Sequence, residues 1–192
     1  DSLRYYLIKE VSFGNDGNIS EEKLENCINS DLANNFGNLC QRVISFNEKN
    51  INLKIPQSSK FNKEDLEILS NYKNNFDNLI DFIDNQKINE YVNFIQDQLF
   101  AANKYFNDQE PWKKKADQER LNTIVYVSLE LIRKISILLY PIIPATTLKV
   151  LDIFQIKEGD IEFNSIKNDL ILKSDSKIKK ISILFKKIEK ND

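Results

Sequence analysis

Asn38 and Arg42 stand four residues apart in NSDLANNFGNLCQRVISF, residues 29–46, and Asn34 continues the same row. On a helix that spacing points the three side chains the same way. Amide and guanidinium groups match the donors and acceptors on nucleobase edges. Arginine is also scarce: Arg4, Arg42, Arg120 and Arg133 stand against 23 lysines (27 basic residues less four). In so lysine-biased a chain, a retained arginine suggests a planar, multidentate contact. The plain alternative, a solvated helix face, is the commoner use of such a pair.

A second cluster lies in NDQEPWKKKAD, residues 107–117. Trp112, the only tryptophan, follows Pro111 and precedes Lys113, Lys114 and Lys115. The ring suits stacking on an unpaired base, and the lysines suit its phosphates. It equally suits a partly buried anchor near a helix start, and charge runs usually face water. The residues themselves leave both readings open.

No catalytic constellation accompanies these clusters. The chain has no histidine, which removes imidazole acid–base chemistry and His metal sites. Gly14 and Gly17, in FGNDG, mark a turn and not a phosphate cradle. Cys27 and Cys40 fall thirteen apart on one helical pattern, too far to bridge, and read as reduced core residues. No metal site is expected.

The elements that hold the clusters are helical. Leu3, Tyr6 and Leu7 take helical spacing, followed by turn formers over 12–18. Ser20 is placed to cap a helix whose first turn carries Glu21 and Glu22. Its apolar stripe runs Leu24, Cys27, Ile28, Leu32, Phe36, Leu39, Cys40, Val43 and Ile44, about seven turns. Residues 47–60 break the period. Helices follow over 63–85 (Leu66, Leu69, Phe76, Leu79, Ile80 and Ile83 inward) and 88–105 (Tyr91, Ile95, Leu99 and Ala102 inward). Pro111 suits a first helical position, and Asp117 suits the cap of a helix over 118–139. That helix is apolar on almost every side and should be central. Pro141 and Pro144 end it, before a last helix over 145–154. Residues 157–192 mix lysine and isoleucine without a clean period, as an amphipathic helix or an extended segment.

The expected fold is therefore all-α: an antiparallel helical bundle with a less regular C-terminal tail packing back on the body. Apolar residues, at 41%, suffice for a core, and the net charge is −2. An anionic partner must be held by a local patch, because the field of the whole protein will not steer it. The longest apolar run, near 136–145, is too short and proline-broken to span a membrane. The chain of 192 residues has no methionine and begins at Asp1, so it reads as a piece of a longer protein.

Four stretches, SLRYYLIKEVSFGNDGNIS (2–20), NSDLANNFGNLCQRVISF (29–46), YFNDQEPWKKKAD (105–117) and LLYPIIPATTLKVL (138–151), resemble bacterial methionyl-tRNA synthetases in the part after their catalytic motifs. LFKKIE (184–189) looks like that family's chain end. The resemblance implies an anticodon-binding domain of the class I synthetases over 20–156. It implies the end of the stem-contact region over 1–19 and a tail over 157–192. It implies a cytoplasmic protein whose partners are the anticodon stem-loop of methionine tRNA, read at CAU, and the catalytic domain of the same chain, with no membrane or DNA partner. It assigns Asn38 and Arg42 to the anticodon bases, and Pro111 and Trp112 to stacking. ATP would belong to the parent enzyme, with no cofactor in this part, which lacks the HIGH-type and KMSKS-type motifs. Two rival readings stand beside it: the anticodon domain of another class I synthetase, and a helical protein-interaction module without RNA.

Overall fold

A computed structural model of the chain describes residues 1–11, 17 and 19–188. The turn expected over 12–18 lies outside the described residues apart from Gly17, as does Glu189 of the LFKKIE stretch. The described α-helices are α1 (Ser2–Glu10), α2 (Glu21–Cys27), α3 (Asn38–Ile51), α4 (Lys63–Asn74), α5 (Phe76–Asp84), α6 (Ile88–Asp108), α7 (Gln118–Leu139) and α8 (Pro144–Ile153). A π-helical stretch, Ile28–Gly37, joins α2 to α3 without a break.

The axis of the bundle is α7. From Thr123 to Leu139 its side chains are all buried, and α3, α4, α6 and α8 pack around it. Asp117 caps it, accepting the Arg120 N–H at 3.0 Å. Pro144 opens α8. The Asp1 carboxylate meets that helix start, accepting the Thr146 N–H at 2.6 Å and its hydroxyl at 2.7 Å. It thus satisfies a donor that the first turn leaves free. Arg4 reaches the preceding loop, donating to the Ile142 and Pro141 carbonyls.

Several elements depart from the periodicity. The helix expected to stop near residue 46 continues to Ile51, because Asn47 is buried and its amide donates to the Lys54 carbonyl at 2.7 Å. Left-handed Asn52 and Leu53 then stop it. The single helix expected over 63–85 is two helices, broken at Asn75, whose amide donates back to the Asn71 carbonyl at 2.9 Å. The buried stripe nonetheless runs on across the break as Asp65, Leu69, Tyr72, Phe76 and Leu79. Leu66 and Ile83, expected inward, are exposed, whereas Asp65 and Tyr72 are buried. In α1 the inward residues are Tyr5 and Tyr6, with Leu3 and Leu7 outside.

The tail after α8 is extended, with 3-10 turns at Glu158–Asp160 and Phe163–Lys167 and one isolated bridge between Lys54 and Lys177. It is held by charged side chains of α7. Glu130 accepts the Leu172 N–H at 2.7 Å, and the Tyr126 hydroxyl donates to the Leu172 carbonyl at 2.8 Å. Arg133 donates to the Ser165 and Asn168 carbonyls. Lys134 donates to the Ile166 carbonyl at 2.7 Å and pairs with Asp169. Burial pushes the Lys134 ammonium below its ordinary value, against the pull of Asp169.

Candidate nucleic-acid interface

The side chain that organises the site is Phe106, near the end of α6 and almost fully buried. The Arg42 guanidinium lies over its ring, 5.5 Å from the centroid. Trp112 meets the same ring edge-to-face at 6.1 Å, and Phe46 does so at 5.9 Å. The structure therefore brings together two residues seventy positions apart in sequence, with one aromatic ring between them. Such contacts fix a guanidinium without consuming its N–H donors. Among the described residues, no hydrogen bond or ion pair engages Arg42, so its donors remain available to a ligand.

Trp112 belongs to a three-residue 3-10 turn, Pro111–Lys113, and not to the first turn of α7. Pro111 is buried and Glu110 before it is left-handed, φ 45°. That sharp turn stands the indole up beside Phe106 with 38% of the residue exposed. Trp112 thus rests on the body and still presents ring surface, so its anchoring and its exposure coexist. Of the three lysines, Lys113 pairs with Glu110 at 2.7 Å. Lys114 and Lys115 are exposed and unpaired among the described residues.

Asn38 and Asn34 are exposed on the same helix, and neither amide is hydrogen-bonded among the described residues. They flank the end of the π-helical stretch, which is tied to α6 by side-chain amides. Asn35 donates to Gln96 of α6 at 3.1 Å and accepts from Asn103 at 2.8 Å. Asn103 lies one turn before Phe106, so this clamp and the Arg42–Phe106 contact join the same two elements. Gly37 ends the stretch. A Cβ there would stand 3.1 Å from the Leu32 carbonyl oxygen, which the wide turn carries inward. Irregular helical turns of this kind recur at functional sites.

Beyond Arg42, the other arginines are used internally. Arg120 forms a two-point pair with buried Asp65 and also donates to Gln109. Burial works against the Asp65 charge. The donors from Arg120, Tyr105 and the Asn62 N–H outweigh it and hold the carboxyl below the usual range. Phe106 was missed by the sequence reading. The signal for it was available: Phe106 sits six residues before Trp112 on the apolar face that Leu99 and Ala102 define.

Residues 1–44 match the class I tRNA synthetases of the methionine type. Residues 55–192 match the anticodon-binding domain of methionyl-tRNA ligase, and the chain belongs to this family. Asn38 and Arg42 fall in the first match and Trp112 in the second, so the cluster is assembled across the two. The methionine–tRNA ligase of Mycobacterium leprae is 36% identical over 171 residues, 86% of this chain and 32% of that protein. That of Thermotoga maritima is 34% identical over 194 residues, all of this chain and 31% of that protein. The free methionyl-tRNA synthetase of Mycobacterium tuberculosis superposes with a TM-score of 0.92 at 30% identity, covering 99% of this chain and 39% of that one. The same enzyme in complex with methionyl-adenylate superposes at 0.89, covering 96% of this chain and 37% of that one. The chain thus spans about a third of the length of the curated relatives it matches.

Proposed function

We propose that this chain is the anticodon-reading part of a cytoplasmic methionine–tRNA ligase and recognises CAU in the anticodon loop of methionine tRNA. The observation that carries the reading is the convergence of Arg42 and Trp112 on Phe106. Trp112 takes the face of an unstacked base, while Arg42 and Asn38 hydrogen-bond base edges. Pro111 stiffens the turn that raises the indole. Lys114 and Lys115 attract phosphates, with Lys113 partly neutralised by Glu110. Discrimination comes from leaving these polar groups unpaired when a wrong base is offered. ATP and methionine are handled by the catalytic part of the parent enzyme, and this part contributes position. No described helix is long and apolar enough to cross a membrane.

Titration of the intrinsic fluorescence with a CAU stem-loop, beside a loop with a swapped anticodon, tests the reading, because Trp112 is the sole tryptophan. Quenching by CAU alone is expected. Trp112→Ala should weaken binding of a labelled loop by about 1–3 kcal/mol. Its melting temperature should move by less than about 4 °C. A collapsed melting temperature in that variant, with no selective quenching in the parent chain, would make Trp112 a core anchor and end the proposal.

A further inference from the structure

The last described stretch of the tail runs along the helix that carries Asn38. Lys180 pairs with Glu48 at 2.5 Å. At the other end, Asn29 donates to the Ile188 carbonyl at 3.0 Å and accepts the Ile188 N–H at 2.9 Å. Eight extended steps cover about 26–29 Å. The nineteen steps from Asn29 to Glu48 would cover about 28 Å at the α-helical rise, and cover somewhat less because Ile28–Gly37 is π-helical. The tail is therefore a nearly straight strap, laid antiparallel along the whole of that helix face. Where it passes the π-helical end, Phe185 lies against Gly37, its ring 3.7 Å from the position a Cβ would take.

Strap and helix leave a groove of about 240 Å³ between them. One wall carries the amides of Asn34, Asn38 and Gln41; the other carries Ile183, Phe185 and Lys187. Among the described residues the Asn34 and Asn38 amides have no hydrogen-bond partner. Gln41 spends only one donor, on Ser45. Ile183 is 73% exposed, so its apolar surface is open to a ligand in the groove. Lys187 is exposed and unpaired among the described residues. One face is thus rich in planar donors and acceptors, the facing one is apolar, and a cation stands at the rim. A nucleotide has that distribution of chemistry: a polar base edge, an apolar base face and an anionic phosphate. The groove also continues the proposed interface, since Asn38 lines both.

We infer that the groove between the strap and the Asn34–Asn38–Gln41 face seats one unstacked loop nucleotide next to those taken by Arg42 and Trp112, making the C-terminal strap part of the RNA surface. The base edge meets the Asn34 and Asn38 amides, its face lies on Ile183 and Phe185, and its phosphate meets Lys187. This inference rests on the proposed anticodon-reading function.

The test uses the 192-residue chain and a labelled CAU stem-loop, with binding read by anisotropy. Ile183→Asp and Lys187→Ala change exposed side chains, so the fold should be retained, as melting curves will check. Ile183→Asp should lower affinity about tenfold or more. Lys187→Ala should reduce the slope of log affinity against log salt by about 0.7. Loops carrying one abasic nucleotide, scanned outside the triplet, should identify a position where wild type loses affinity and Ile183→Asp loses nothing further. Folded strap variants that bind like wild type, while Trp112→Ala binds weakly, would overturn the groove and leave the anticodon reading standing. Unchanged binding by Trp112→Ala, or no binding of any loop at low salt, would overturn both.

Discussion

Two polar clusters in this chain draw on the same side-chain chemistry and put it to opposite uses. Around α7, Glu130, Arg133 and Lys134 are buried, and each is paired or hydrogen-bonded to the tail. Around Phe106, Arg42 and Trp112 are fixed by ring contacts alone, and their polar groups stay open. In the first cluster every charge has a partner, because an unmatched charge in the core is costly. In the second the aromatic platform fixes geometry without spending hydrogen bonds. The difference teaches how to tell a structural arginine from a recognising one. Arg4, Arg120 and Arg133 donate to carbonyls or carboxylates of their own chain, whereas Arg42 is held over a ring with its donors unspent.

That contrast can be broken at its buried end with the largest effect. Glu130→Ala removes the acceptor for Arg133 and for the Leu172 N–H. A loss of about 3–5 kcal/mol is expected in urea unfolding, as for an orphaned buried pair. Proteolysis should then open the tail first. Equal stability of the variant would mean that the clamp does not hold the strap.

A second test uses pH on the half-buried Arg120 and its buried partner Asp65. Asp65 has its folded value depressed by Arg120, Tyr105 and the Asn62 N–H acting against burial. The stabilisation from such a carboxyl is complete above its unfolded value of about 4 and is lost as pH falls through the lower folded value. Wild-type stability should therefore decline below about pH 4, and Asp65→Asn should flatten that part of the profile while starting lower. A profile identical to wild type would remove Asp65 from the account. The stem-loop contact is expected to be insensitive to this substitution except through overall stability.

The smallest effect belongs to the exposed end. Replacing both Lys114 and Lys115 with alanine should leave stability within about 0.5 kcal/mol. It should reduce the salt slope of stem-loop binding by about 0.7 for each lysine that touches a phosphate. An unchanged slope would confine the interface to the Arg42 and Trp112 side of the turn.

Much of this was legible in the sequence. The stripe from Leu24 to Ile44, the capping Ser20 and Asp117, and the nearly all-apolar stretch of α7 led directly to a helical bundle with α7 at its centre. Helical spacing placed Asn34, Asn38 and Arg42 in one row; in the structure Asn34 and Asn38 share a groove with Gln41, and Arg42 lies over Phe106. The failures have local physical causes. Leu66 lies beside the buried stripe, whose place in the first turn of α4 is taken by polar Asp65 in its pair with Arg120, and Ile83 falls in the last turn of α5. The end of α3 was placed too early because buried Asn47 serves as a loop fastener, which its polarity conceals. The charges of α7 did carry a signal: Glu130, Arg133 and Lys134 sit at helical spacing in a helix with no side left for water, so they required partners. What those partners were could not be read, because the tail supplies mostly backbone carbonyls and N–H groups, which every sequence has.

By itself the sequence determined which stretches are helical apart from their ends and breaks, which helix is central, and which side chains have the chemistry to meet a nucleobase. Those properties follow from periodicity and residue type, which act over one or two turns. Only the tertiary structure decided that Arg42 and Trp112 share one ring, that the tail is a strap and not a helix, and that a groove runs between strap and helix. These depend on contacts between residues far apart in the chain, where Phe106, Asn103 and Gly37 act through position and shape.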